Sequence, residues 1–529
     1  MSLQFVFGNS GSGKSHYLYQ QIVEESIRHP EKNYLVLVPE QFTMQTQKDL
    51  CMAHPRGGIM NIDVLSFGRL AHRVFEETGK ERQPILDDEG KNLVLRKIAG
   101  NYEDELTVLK GNLKKQGYIS EVKSVISEFT QYGIDFEQLD SFMEGLNPES
   151  YLYYKLKDIR KVYEGFEDYL RDKYITKEEL LDVLSQNVAE AKMLKDSVIA
   201  MDGFTGFTPV QNRLIGELLK VCDKIMLTVE IDRREDPFVY KHPYQLFALS
   251  KQMVTSLTEV AQEVKVEIDE PVWLCKNPPY RFKENPEMAF LEEELFRYSR
   301  RKYSGKKMQS ISLHEVHTPQ EEAQYVAEEI RRLVREEGYR YREIAVIASD
   351  LNTYADSLEK ACERYEIPVF MDHKKSILLN SFVEYLRSLL VMVEQNYTYE
   401  SVFRYLRTGL CGFTRDEVDR LENYCLALDL KGFKKWDQVW VRKTPMTKKE
   451  ELEELNQLRV RFVEKLTPLH TVLKKRRKTV KEITLAVYEY LVQEKIQEQL
   501  AELEQKFQEE GELALAKEYA QIYRIVLEL

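Results

Sequence analysis

Gly8-Asn9-Ser10-Gly11-Ser12-Gly13-Lys14-Ser15 is a full match to G-x-x-x-x-G-K-[ST], the spacing of a phosphate-binding P-loop. Glycines let backbone N–H groups turn inward around phosphate oxygens, and one ammonium, Lys14, neutralises the β and γ charge. The Ser15 hydroxyl suits Mg²⁺, a hard cation that takes oxygen ligands. A nucleoside triphosphate or diphosphate, ATP or ADP, is the expected ligand of residues 8–15. The second carboxylate such chemistry needs is best supplied by Asp202, at the end of the apolar run Ser197-Val198-Ile199-Ala200-Met201. Asp202 can hold the metal, but the next residue, Gly203, cannot activate a water. A solvated aspartate at a strand end is the plainer alternative for Asp202.

The elements that position these residues read as a parallel α/β unit. Leu3–Phe7 is a short buried strand, His16–Arg28 a helix whose N-terminal dipole faces the loop, and Asn33–Pro39 a second strand. Ile62–Leu65 is expected as a third. The long, mainly helical stretch before Ser197 exceeds what a loop tolerates and must be an inserted domain.

Composition narrows the class. A chain of 529 residues calls for three or four domains. No apolar run approaches the ~20 residues that span a bilayer, and no leader precedes the loop, so a cytoplasmic protein with no membrane partner is expected. The six cysteines form no C-x-x-C pair, which argues against zinc fingers and disulfide staples. A net charge of -12 excludes a general nucleic-acid coat yet permits a local basic channel. His314 and His317 would face opposite sides of a strand, so no metal is assigned to them.

A P-loop, a large helical insertion, then an acid-tipped strand with Gln211 downstream resembles the superfamily 1 helicases. Val36–Thr43 sits where those helicases carry a DNA-contacting motif, Val64–Leu70 resembles the next one, and Ile85–Gly90 resembles the entry to their inserted domain. Glu343–Ala348 and Tyr365–Phe370 resemble the first strands of a second motor-like lobe. More narrowly, the chain is similar to the AddB family, the non-motor subunits of bacterial AddAB ATP-dependent helicase–nucleases.

The resemblance implies an α/β fold of two P-loop (RecA-like) parallel-sheet lobes with large, mainly helical insertions. Residues 1–90 and 190–290 would form the first lobe, 91–189 its insertion, 291–395 the start of the second lobe and 396–529 a second helical insertion. It implies DNA as partner, through Phe42, Thr43, Ser66 and Phe67 and a basic hinge at Arg300, Arg301 and Lys302. An AddA-like motor subunit would be the other partner, in a heterodimer that processes double-strand breaks for recombinational repair. A nuclease domain with an iron–sulfur cluster is expected only in a missing C-terminal part, since the chain ends inside the amphipathic run Glu518–Leu529. The nearest nuclease-like hit, Asp372-His373-Lys374, lacks upstream acids and is rejected.

Departures from the motor pattern matter as much. Asp202-Gly203 replaces Asp-Glu, no adenine-reading glutamine precedes the loop, and Leu227–Asp232 replaces a segment that ends in a γ-phosphate-sensing glutamine. Ala348-Ser349 stands where many relatives have arginine. Nucleotide binding without efficient hydrolysis is therefore expected. The alternatives are a free-standing P-loop kinase or phosphotransferase, and a P-loop whose nucleotide is purely structural. Three basic stretches interleave with aromatics: Arg297–Lys307, Lys431–Trp436 and Lys474–Lys478. Their cations suit phosphates, and flat rings suit unpaired bases.

Overall fold

The computed structural model describes residues 1–79, 84–113, 115–171, 173–305, 308–371, 376–443 and 449–528. Lys306, Lys307, Asp372, His373, Lys374 and Leu529 lie outside the described residues. The chain divides into two compact units, Met1–His314 and Glu315–Leu529.

The first unit opens with β1 (Ser2–Gly8), α1 (Lys14–Arg28), β2 (Tyr34–Leu37), α2 (Thr43–Ala53), β3 (Ile62–Leu65) and α3 (Phe67–Thr78). After a helical excursion the chain returns to the same sheet. All strand pairings are parallel, and apolar runs such as Tyr34–Leu37 are buried on both faces, as helices on either side require.

The excursion comprises β4 (Ile85–Leu86), α4 (Asp88–Asn101), α5 (Gln116–Tyr132), α6 (Phe136–Glu144), α7 (Tyr151–Leu170) and β5 (Ile175–Thr176). There follow α8 (Leu180–Asn187), β6 (Val198–Met201), α9 (Pro209–Leu219), β7 (Lys224–Glu230), α10 (Ala248–Glu263), β8 (Glu267–Ile268), β9 (Val272–Trp273) and α11 (Pro286–Glu294). The sheet order is β3-β2-β6-β7-β1-β8, with β9 also on β1. Alternation sorts its side chains into two cores. Val36, Ala200 and Met226 meet Leu18 and Ile22 of α1, whereas Phe5, Phe7, Ile199, Leu227 and Val229 meet helices α3, α8, α9 and α10.

Helices α4–α7 form a body with its own core, including Leu95, Ile98, Ile126, Val162 and Phe166. The chain leaves and re-enters it through β4 and β5, which pair parallel at Ile85↔Ile175 and Leu86↔Thr176. Inside it, the buried Asp158 of α7 accepts backbone N–H bonds from Thr107 (3.0 Å), Val108 (2.7 Å) and Leu109 (2.9 Å), holding a turn that has no helix of its own. Buried Lys91 pairs with Glu178 at 2.6 Å.

Further along α7, burial and then the charge of Glu179 hold the Glu167 carboxyl up at about 7, against an ordinary 4.5. A carboxyl with a raised native pKa binds its proton more tightly folded than unfolded, so its contribution to stability is full below about 4.5 and is lost as pH rises through about 7. Glu167→Gln is therefore expected to raise the melting temperature by ~2 °C at pH 8 and to leave it unchanged at pH 4, as read from calorimetric melts at both.

The second unit is helical among the described residues. It holds α12 (Pro319–Glu336), α13 (Leu351–Arg364), α14 (Ser381–Glu394), α15 (Tyr399–Leu406), α16 (Arg415–Ala427), α17 (Phe433–Asp437), α18 (Lys449–Leu473), α19 (Val480–Gln493), α20 (Ile496–Glu509) and α21 (Leu513–Glu528). Helices α14–α21 share one large core that includes Tyr385, Tyr405, Trp436 and Phe462. The strands expected at Glu343–Ala348 and Tyr365–Phe370 are corrected: Tyr341–Glu343 is a 3-10 turn, Tyr365 ends α13, and no ladder includes either segment among the described residues. An apolar run signals burial, but a strand exists only where a neighbour takes its hydrogen bonds. Ile344 and Ile367 pack on α12 and α13, while Ile347 and Phe370 remain exposed. The parallel sheet belongs to the first unit; the α/β class stands.

Candidate nucleotide site

The site is built at the C-terminal ends of the parallel strands, where open α/β sheets leave a crevice. β1 stops at Gly8, and the chain turns through Gly11 (φ 72) and Gly13 (φ 92), left-handed conformations that suit glycine. Helix α1 starts directly at Lys14, with no side-chain cap and no acid in its first turn. Its first N–H groups and its dipole are thus left for an anion. Lys14 Nζ donates to the Asn9 carbonyl at 3.0 Å. Burial lowers the Lys14 pKa, and Glu230 and then Asp202 oppose that shift.

Asp202, just past β6, is buried. It accepts from the Tyr19 hydroxyl at 2.8 Å and the Thr228 hydroxyl at 2.5 Å, so α1, β6 and β7 converge on it. Burial, then the Asp202 charge, raises the Tyr19 pKa far above the ordinary phenol range, which keeps Tyr19 a donor. Ser15, Asp202, Lys14, Thr228 and Glu230 line one cavity of about 830 Å³.

The residues present fit a magnesium nucleotide. The Asn9 Oδ1 and Ser12 Oγ atoms of the loop are buried without a partner, and the donors around Asp202 are hard oxygens. Asp202 is followed by Gly203 at φ 77, where an added Cβ would lie 3.6 Å from Pro39 and 3.7 Å from Phe42. Gln211, the glutamine downstream, is occupied locally: it closes a capping box with Thr208 at the start of α9.

Sequence reasoning missed Tyr280 and Arg281. β9 runs beside β1, and the chain then returns across the loop as the 3-10 turn Tyr280–Phe282. The Arg281 N–H donates to the Gly11 carbonyl at 3.0 Å, and a Cβ at Gly11 would meet that of Arg281 at 2.8 Å. Arg281 therefore brings a second cation to the cavity, and exposed Tyr280 brings a ring. The available signal was an aromatic–arginine pair after Pro278-Pro279. Tyr19, Thr228 and Glu230 were equally invisible, since only the fold brings them to Lys14.

The family model described as "ADDB, N-terminal" matches residues 5–292, and one described as "UvrD-like helicase C-terminal domain" matches residues 285–528. The chain belongs to the AddB family. It is 40% identical, over all of its own length and 46% of the relative's, to the ATP-dependent helicase/deoxyribonuclease B subunit of Lachnoclostridium phytofermentans. Proteins of the same description in Clostridium novyi and Clostridium perfringens strain SM101 are 32% and 33% identical, again over 100% of this chain and 46% of the relative. The chain spans about half the length of the curated relatives it matches.

In this AddB-family chain, the residues expected to face DNA are differently placed. Phe42 is exposed beside the Gly203 turn, on the same strand-end edge as the P-loop. Thr43 is buried and donates to the Glu40 carbonyl, Ser66 caps α3, and Phe67 is buried against Phe204 and Phe207. In the basic stretch, Arg297 pairs with Asp232 at 2.8 Å, and Arg301 pairs with Glu294 at 2.5 Å and Glu293 at 3.0 Å. Arg300 and Lys302 are exposed without an ion pair among the described residues. Of the later stretches, Trp436 is buried and Phe433 stacks on His470 at 3.8 Å, which removes both rings from solvent-side stacking. Lys474, Arg476 and Arg477 are exposed. No helix among the described residues is long and apolar enough to cross a membrane.

Proposed function

We propose that this chain is the nucleotide- and DNA-binding, motor-inactive part of a helicase–nuclease subunit. It holds ATP or ADP with Mg²⁺ on residues 8–15 and Asp202, and it does not turn ATP over efficiently. The observation that carries this is the pairing of a complete phosphate cradle with Gly203 directly after the metal-side Asp202. When bound, the metal would screen the phosphate charge. The chain's residues hold the nucleotide: Lys14 and the α1 amides bind phosphate, Tyr19 and Thr228 orient Asp202, Arg281 adds charge, and Tyr280 offers a face to the base.

The relatives are named as B subunits of an ATP-dependent helicase/deoxyribonuclease, which supports a partner subunit and DNA as the substrate. The reading extends this to a cytoplasmic assembly with an AddA-like motor subunit that acts on DNA ends in recombinational repair. Arg300 and Lys302, with Phe42 as a stacking ring, would grip a single strand. A nuclease site and an iron–sulfur cluster would belong to the part of the relatives this chain does not match.

Two measurements test the reading. ATP turnover by the 529-residue chain, with and without single-stranded DNA, is expected to fall roughly three orders of magnitude below the ~10 s⁻¹ typical of enzymes. Brisk turnover would overturn it. Arg300→Glu with Lys302→Glu is expected to weaken single-strand binding and flatten the salt slope by ~1.4, about 0.7 per phosphate contact. An unchanged slope would remove this stretch from the DNA path.

A further inference from the structure

Among the carboxylates that line the cavity, the nucleotide reading gives Glu230 no role. Glu230 ends β7, and the ladder pairs it with Gly8, the first residue of the P-loop. The Ile231 N–H donates to the Gly8 carbonyl at 3.0 Å, fixing that register. Alternation puts Thr228 and Glu230 on the face of β7 that carries Met226 into the α1-side core, while Val229 goes to the other. Glu230 therefore stands one pleat beyond Thr228, which holds Asp202, at the phosphate end of the site. It is exposed, lines the same cavity as Lys14, Ser15 and Arg281, and its carboxylate has no hydrogen bond or ion pair among the described residues.

Asp202 and Glu230 differ in kind, and the third acid of the lining, Asp49, already accepts from the Gln45 side chain at 2.7 Å. Asp202 already takes a hydroxyl proton on each oxygen, so part of its charge is dispersed. Glu230 offers a bare charge. A terminal phosphate beside it brings two anions together in a half-buried pocket, where effective dielectric constants are well below that of water. A divalent cation between them would turn repulsion into attraction, and a diphosphate, one phosphate shorter, would bring less charge to Glu230.

We propose that Glu230 makes triphosphate binding conditional on a divalent cation and so sets which nucleotide the site holds. This rests on the nucleotide-binding reading above. Glu230 works beside Ser15 and Asp202 as the third oxygen donor on the metal side.

Calorimetric titrations of ATP and of ADP, each in Mg²⁺ and in EDTA, test it on the unaltered chain, Glu230→Gln, Glu230→Asp and Lys14→Ala. In the unaltered chain, removing Mg²⁺ should weaken ATP on the order of tenfold more than ADP, the scale of one charge contact in a site of intermediate dielectric. In Glu230→Gln, removing Mg²⁺ should weaken both nucleotides by the same factor. Glu230→Asp, which keeps the charge, should keep the difference. Equal losses in the unaltered chain, a difference that survives Glu230→Gln, or an aspartate variant that behaves like glutamine would each overturn the proposal. Full nucleotide affinity in Lys14→Ala would instead discard the site itself, and the proposal with it.

Discussion

Lys14→Ala is expected to lower affinity for ATP and ADP alike by on the order of a hundredfold, with the melting temperature of the free chain unchanged within about a degree. Lys14 is the one ammonium of the loop, half-buried, its chain end held by the Asn9 carbonyl at 3.0 Å. Charge-assisted hydrogen bonds to phosphate are about twice as strong as neutral ones, and burial limits screening by water. The backbone cradle survives the substitution because Gly11, Gly13 and the start of α1 do not depend on that side chain. Residual binding then rests on the amides and Arg281. Burial already lowers the Lys14 pKa, so removing the ammonium costs the free fold little. Isothermal titration and thermal melts of the same preparation check both halves, and an affinity within twofold of the unaltered chain would take Lys14 out of the site.

The largest effect on stability is expected at Asp158. Its carboxylate is buried and accepts backbone N–H bonds from three consecutive residues, Thr107, Val108 and Leu109. Those groups belong to a turn between α4 and α5 and have no ladder to fall back on. Asp158→Ala strands the buried Leu109 donor, frees the less buried Thr107 and Val108 donors and opens a small void, a loss of ~2–4 kcal/mol. Asp158→Asn keeps an acceptor of the same shape and should cost about half as much. Urea unfolding monitored in the α4–α7 body gives both values. A loss below ~1 kcal/mol for the alanine variant would mean that other groups satisfy the turn.

What could be read in advance follows from how local each piece of chemistry is. The P-loop is eight contiguous residues with Gly8, Gly13, Lys14 and Ser15 at fixed spacing, so its position, its strand and its helix were all visible. Asp202 was visible as the acid ending an apolar run, but its partners were not: Tyr19 and Thr228 reach it from distant segments, and only the parallel register of β1, β6 and β7 unites them. Tyr280 and Arg281 were hidden for the same reason. Local capping chemistry misled in the opposite direction, since Ser66 and Gln211 carry polar groups that the starts of α3 and α9 consume. The runs at 343–348 and 365–370 show the limit of hydrophobic pattern: it reports what avoids water, and says nothing of which backbone supplies the ladder.

The paired strands β4 and β5 have a mechanical consequence. Because Ile85 sits opposite Ile175, the path out to the helical body and the path back start a single strand spacing apart, about 4.8 Å. Residues added or lost in the parts of α4–α7 away from the contact of α5 with α9 therefore leave the anchor points where they were, and the phosphate cradle does not register the change. The body hangs on a clasp, free to vary in size while the lobe that carries it keeps its shape.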